Sequence, residues 1–106
     1  MIERHWKGIC KAGEAKHYEE HLENETFQKL TLISGFQGAR LLKRDDNNGT
    51  EYLVITVWDS IEAIRKFSGK DITLAVVPSQ VQALMVSYDQ RAVHYEVAGR
   101  SGDIII

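Results

Sequence analysis

The chain has one cysteine, Cys10, and one proline, Pro78, among its 106 residues. A lone cysteine excludes an intrachain disulfide framework and a multi-cysteine zinc site, and it suits a reducing compartment. The lone proline, with no Ser/Gly-rich stretch in the first 97 residues, leaves no linker at which a second domain would begin. Neither sign of charge dominates. Thirteen basic and 15 acidic residues give a net charge of −2, and without a dense Lys/Arg run nucleic acid is not an expected partner. No apolar run approaches the ~20 residues that span a bilayer, and the charged start Met1-Ile2-Glu3-Arg4-His5-Trp6 has no apolar leader core. The expectation is a cytoplasmic protein with no membrane partner.

What is present is a set of alternating and helical patterns sized for one core. Ile2 to Cys10 reads as a strand. Gly13 opens a segment free of Gly and Pro up to Ser34-Gly35, in which Ala15, Tyr18, Leu22, Thr26, Leu30 and Ile33 recur at steps of three and four. That spacing predicts a helix with one apolar stripe, ended by Gly35 as its C′ residue. Phe36–Arg44 and Thr50–Trp58 have strand composition and are joined by Asp45-Asp46-Asn47-Asn48-Gly49, whose Asn-Gly suits a hairpin turn. A second helix is predicted from Asp59, capped by Asp59 with Glu62 reaching back, carrying Ala63, Ile64 and Phe67 inward and stopping near Ser68-Gly69. Pro78 suits the first turn of a short helix holding Val81, Leu84 and Met85, and Tyr88–Val97 alternates as a last strand.

The order β-α-β-β-α-β is the α+β, ferredoxin-like arrangement, an antiparallel sheet with helices on one face. Both faces of its strands are apolar. Leu53, Ile55 and Val57 oppose Tyr52, Val54, Thr56 and Trp58 in the third strand, and Val93, Tyr95 and Val97 oppose Tyr88, Ala92 and His94 in the last. A second copy of the sheet is the economical cover, so a homodimer packed sheet face to sheet face is expected.

Three stretches carry a family resemblance. Trp58-Asp59-Ser60-Ile61-Glu62-Ala63-Ile64 after a hydrophobic strand, His94-Tyr95-Glu96-Val97 in the last strand, and Gly35-Phe36-Gln37-Gly38-Ala39 leading into the second resemble the antibiotic biosynthesis monooxygenase-like proteins. That family belongs to the dimeric α+β barrel superfamily, and the resemblance spans residues 1–97, leaving 98–106 as a C-terminal tail. It implies a cavity beside Trp58 and an activity among cofactor-free oxygenation of quinol or polyketide substrates, haem degradation, or none. Many members carry a histidine on the helix after that tryptophan. Here Ile61 to Lys70 has none, and Phe67 stands near the expected spot. Haem-degrading relatives use that histidine as iron ligand together with a first-strand asparagine, where this chain offers Arg4, His5 and Trp6, so haem is disfavoured.

The oxygenating reading needs a base, an aromatic pocket and a donor for developing negative charge. His94 is the candidate base. Trp58, Trp6 and Tyr52 are candidate pocket walls, and Arg40 or Arg91 candidate anion stabilisers; no metal, flavin or other cofactor is invoked. The alternatives are a non-catalytic binder of a small aromatic ligand in the same cavity and a purely structural dimer, with His94 filling the interface and the arginines paired to carboxylates such as Asp45, Asp46 or Asp89. His17-Tyr18-Glu19-Glu20-His21 spells the inverzincin pattern H-x-x-E-H, but on a face crowded with glutamates it reads as solvated surface. Cys10 reads as a small buried apolar residue. Ile104-Ile105-Ile106 either cross onto the partner or plug the cavity mouth, or form a disordered end.

Overall fold

Side-chain alternation along three long strands decides the architecture. In the computed structural model, which describes residues 1–102, these are β1 (Ile2–Lys11), β2 (Phe36–Asp46) and β3 (Gly49–Trp58). All pairings are antiparallel, in the order β2-β3-β1, and β1's other edge is shared by two short strands, β4 (Met85–Tyr88) and β5 (Val93–Glu96). The register sets Arg4, Trp6, Gly8 and Cys10 opposite Thr56, Val54, Tyr52 and Thr50. Directly opposed residues share a sheet face, so these line the helix-bearing side and Leu53, Ile55 and Val57 the other. The α+β order expected from the sequence is the one observed.

The last strand is in two pieces. Between them the chain leaves the sheet and bonds the loop beyond the second helix: Ala75 N–H donates to the Gln90 carbonyl (3.0 Å) and Ala92 N–H to that of Thr73 (2.8 Å). These exchanges satisfy backbone groups that a continuous strand would have spent on β1.

The first helical segment runs as α1 (Ala15–His21), a π-helical turn (Leu22–Thr26) and α2 (Phe27–Leu30). Tyr18, Leu22 and Leu30 are buried and Thr26 half-buried, and they recur at steps of four. Each such step overshoots a 3.6-residue turn by about 40°. The wider π turn absorbs that drift and keeps the stripe on the sheet. The helix ends at Leu30, sooner than expected. Gly35 instead serves the crossing into β2 with φ +97°, where a Cβ would stand 2.5 Å from that of Ala63.

Three local expectations are corrected. The N-cap of α3 (Ile61–Ser68) is Ser60, whose Oγ accepts from Ala63 N–H (3.1 Å), while Asp59 donates its own N–H to the Gly35 carbonyl and Glu62 pairs forward with Arg65. The short helix α4 (Ser79–Gln82) stops before Leu84, and Met85 opens β4. The β2–β3 loop is Asn47-Asn48, its Asn48 N–H donated to Asp46 Oδ1 (2.9 Å), with Gly49 already paired to Asp46 in β3.

The core under the helices is split. One buried cluster gathers Cys10, Tyr18, Leu22, Tyr52, Val81 and Met85; the other gathers Leu30, Trp58, Ala63 and Ile64, and Phe27 packs against both. Aromatic pairs stiffen each, Tyr18 on Tyr52 at 4.9 Å and Phe36 edge-on to Trp58 at 5.3 Å, contributing about 0.5–1.5 kcal/mol per pair beyond area burial. No helix among the described residues is long and apolar enough to cross a membrane. The Ile104–Ile106 stretch lies outside the described residues.

Gly49 has φ +150°, and a Cβ there would lie 1.9 Å from the Cys10 carbonyl oxygen on the neighbouring strand. Gly49→Ala is therefore expected to lower unfolding stability by about 1–3 kcal/mol in urea titration. An unchanged midpoint would refute the close approach.

Candidate functional site

Between the two core clusters the sheet and helices enclose a cavity of about 70 Å³. Its floor is the sheet's helix face, Arg4 and Trp6 from β1 with Val54 and Thr56 from β3. The first helix closes one side with Tyr18, Leu22 and Leu30; Phe67 of α3 and Val76 and Pro78 of the following loop close the other. Thr26, Phe67, Val76 and Pro78 also border an adjoining hollow of about 210 Å³, rimmed by His21, Glu25 and Lys29. The π turn and the loop ahead of α4 thus face each other across that hollow.

Arg4 dominates the electrostatics. It is 4% exposed, and its guanidinium donates to the carbonyls of Ile72 and Leu74 (2.9 Å to the latter) and lies 5.7 Å from the centre of the Phe67 ring. Burial lowers its pKa to about 10, which leaves it charged at neutral pH. One Nη1 proton also points at His94 Nε2, 3.0 Å away. Arginine can only donate, so His94 must accept at Nε2, and the imidazole is neutral with its proton on Nδ1. Burial first, then the Arg4 and His5 charges, push the His94 pKa below the ordinary histidine value.

The other expected site residues fall at different depths. Trp6 lines the cavity and anchors its indole N–H on the Asp89 carbonyl (2.8 Å). Trp58 is fully buried one layer behind the wall: its indole N–H donates to Thr56 Oγ1 (2.8 Å) and its ring stacks on Phe67 at 6.0 Å, both being lining residues. Tyr52 is sealed in the first cluster, its hydroxyl donating to Glu19 Oε2 (2.5 Å), and burial and that bond push its pKa up. Arg40 pairs with Ile55 in register and so lies on the opposite sheet face, its Nε buried without a partner. Arg91 is exposed and holds Asp71 (3.2 Å) and Thr73 Oγ1 (2.6 Å). Of the expected site residues, Trp6 alone lines the chamber; Trp58 stands behind its wall, His94 touches it only through Arg4 and borders a separate hollow with Ile2, Asp59 and Ile61, and Tyr52, Arg40 and Arg91 lie away from it. His17 and His21 bond different carboxylates, Glu14 and Glu25, and do not converge. Cys10 is buried, and burial raises its thiol pKa.

The residue that sequence reasoning passed over as part of the site is Arg4. Its signal was its phase: it alternates with Trp6, Gly8 and Cys10 on the face that the helices cover.

The Arg4–His94 contact has a titration signature. Because the folded-state pKa of His94 is depressed, its contribution to stability is complete above the ordinary histidine value and is lost as pH falls through that value toward the folded one. NMR titration of the ring is expected to give a midpoint below ~6.5, and Arg4→Gln to move it upward. A midpoint that ignores the Arg4 substitution would contradict the contact.

Residues 10–79 match the model of the antibiotic biosynthesis monooxygenase family. Solved structures share the fold. A putative antibiotic biosynthesis monooxygenase from Deinococcus radiodurans superposes with a TM-score of 0.68 at 17% identity over 99% of each chain. The heme-degrader MhuD from Mycobacterium tuberculosis, with two hemes bound in its active site, gives 0.66 at 18% identity over 96% of this chain and 100% of its own. SnoaB, a cofactor-independent oxygenase from Streptomyces nogalater, gives 0.67 at 14% over 93% and 94%. No curated protein matches the sequence. With the sheet, the helix order and the family pattern in agreement, the chain belongs to the antibiotic biosynthesis monooxygenase family.

Proposed function

We propose that the protein is a homodimeric, cofactor-independent monooxygenase of a small planar hydroxylated aromatic, a quinol or polyketide-like substrate, held in the cavity between sheet and helices. The observation that carries this reading is the cavity itself: an aromatic and aliphatic chamber floored by Trp6 and Arg4, with a hollow adjoining it at Phe67. The inner chamber is below the ~300–1,000 Å³ of typical ligand pockets, so a bicyclic ring must occupy chamber and outer hollow together as Phe67 and the Val76–Pro78 loop give way.

The chemistry asked of the residues is modest. His94, neutral and beside Arg4, takes the phenolic proton once the substrate oxygen displaces it from the guanidinium. The anion then reacts with dioxygen: one oxygen atom enters the ring carbon, and the other leaves as water with the hydrogens lost from that carbon and from the phenol. The substrate supplies all the electrons. Trp58 acts through Thr56, fixing its hydroxyl. A haem reading is the weaker one, because Ile61 to Lys70 offers no histidine to hold iron and Phe67 stands near the spot where haem-degrading relatives carry theirs.

A second copy covers the open sheet face. Leu42, Val93 and Tyr95 are exposed there (41%, 51% and 56%), and the buried, unpartnered Arg40 Nε lies on the same face. Sedimentation is expected to give a dimer, and Tyr95→Arg to shift it toward monomer.

Oxygen-electrode assays with 1,4-dihydroxynaphthalene are expected to show enzyme-dependent dioxygen uptake, which His94→Ala reduces by about 10²–10⁴-fold. No uptake above the protein-free rate would refute the oxygenase reading; equal rates for the two proteins would remove His94 from the chemistry. Quenching of tryptophan fluorescence without uptake would favour the non-catalytic binder.

A further inference from the structure

Among the described residues Arg4 is the only charged side chain that is fully buried, and none of the ion pairs includes it. Its surroundings supply lone pairs but no negative charge: two backbone carbonyls, a neutral imidazole and the face of Phe67. A guanidinium carries five N–H donors. The carbonyls of Ile72 and Leu74 and the His94 ring use three of them, which leaves two donors on a side chain that lines the chamber and is its one charged group. A buried cation without a counter-ion is costly, and the same low dielectric strengthens its attraction for any anion that reaches it.

Thr56 adds a second donor. It stands directly opposite Arg4 in the β1–β3 register and is 5% exposed. Its Oγ1 is already accepting from the Trp58 indole, so its own proton is left to donate. Both groups line the chamber, whose other walls are hydrocarbon and aromatic apart from the hydroxyl-bearing Tyr18 and Thr26, neither of them charged.

We infer that Arg4 and Thr56 form an anion-recognition subsite, so that the cavity selects planar aromatics bearing an ionised oxygen, a carboxylate or phenolate, over neutral aromatics of the same shape. The inference rests on the cavity being the ligand site and adds the charge of the ligand to it. The competing cation is Lys29, on the rim of the outer hollow. It is exposed to solvent, so its attraction is screened and carries little selectivity.

The test is calorimetric titration of the full chain with 2-naphthoate and with its neutral isostere 2-naphthamide at pH 7.5. Wild type is expected to bind the carboxylate tenfold or more tighter, the selectivity of a charge-assisted hydrogen bond. Arg4→Gln is expected to erase that preference while the amide still binds, Thr56→Val to reduce it, and Lys29→Gln to leave it intact. Equal binding of the two probes by wild type, or a preference that survives Arg4→Gln, would overturn the subsite while sparing the cavity. Binding of neither probe would overturn both. Should circular dichroism show that Arg4→Gln does not fold, Lys29→Gln decides: a retained carboxylate preference supports Arg4, and a lost one refutes it.

Discussion

The structure depends on one buried guanidinium. Arg4 sits mid-sheet on β1, and through it β1 holds the Ile72–Leu74 stretch by two carbonyls, β5 by the His94 ring and α3 by the Phe67 face. All three lie far from Arg4 in sequence, His94 by 90 residues. Without the guanidinium, the two part-buried carbonyls would lose hydrogen bonds to a charged donor, each contributing about 1.5–3 kcal/mol at most. The loop between α3 and α4 has little regular structure of its own, so this anchor, together with its bonds to Gln90 and Ala92, fixes the chamber roof.

A second constraint follows from how the core is divided. A single close-packed core would leave no space for a ligand. Here the Tyr18–Tyr52 cluster and the Trp58–Ile64 cluster each pack tightly, and the chamber lies at their seam. The π turn belongs to the same design. It holds Leu22 against the first cluster while Leu30 reaches the second, and it puts Glu25 and Thr26, beside His21 of α1, on the outer hollow. Stability is thus invested on either side of the site, and the lining between is free to serve binding.

Much of the fold was legible in residues. The alternation of Tyr52, Val54, Thr56 and Trp58 against Leu53, Ile55 and Val57 gave both faces of β3, and the spacing from Ala15 to Ile33 gave a helix with one apolar stripe, though not the π turn inside it. Caps and turns were less legible. Asp59 and Ser60 are both good N-caps, and the choice fell to Ser60 because the Asp59 amide is held by Gly35, a contact between distant segments. The break in the last strand was hidden for the same kind of reason, since the partners of Gln90 and Ala92 lie near residue 74.

The sequence by itself determined the local terms: one domain-sized core, the strand and helix periods, two apolar sheet faces and the family pattern around Trp58. These are set by neighbours a few residues apart, which is the range over which periodicity and propensity act. Only the tertiary structure decided the site. It brought Arg4 to His94 across 90 residues, sealed Tyr52 behind Glu19, sent Arg40 to the opposite face and tied Arg91 to Asp71. The phase of Arg4 along β1 names its sheet face but not its burial or its partners. Its charge acquires meaning only when packing removes the water around it, and that is a property of the assembled sheet and its cover.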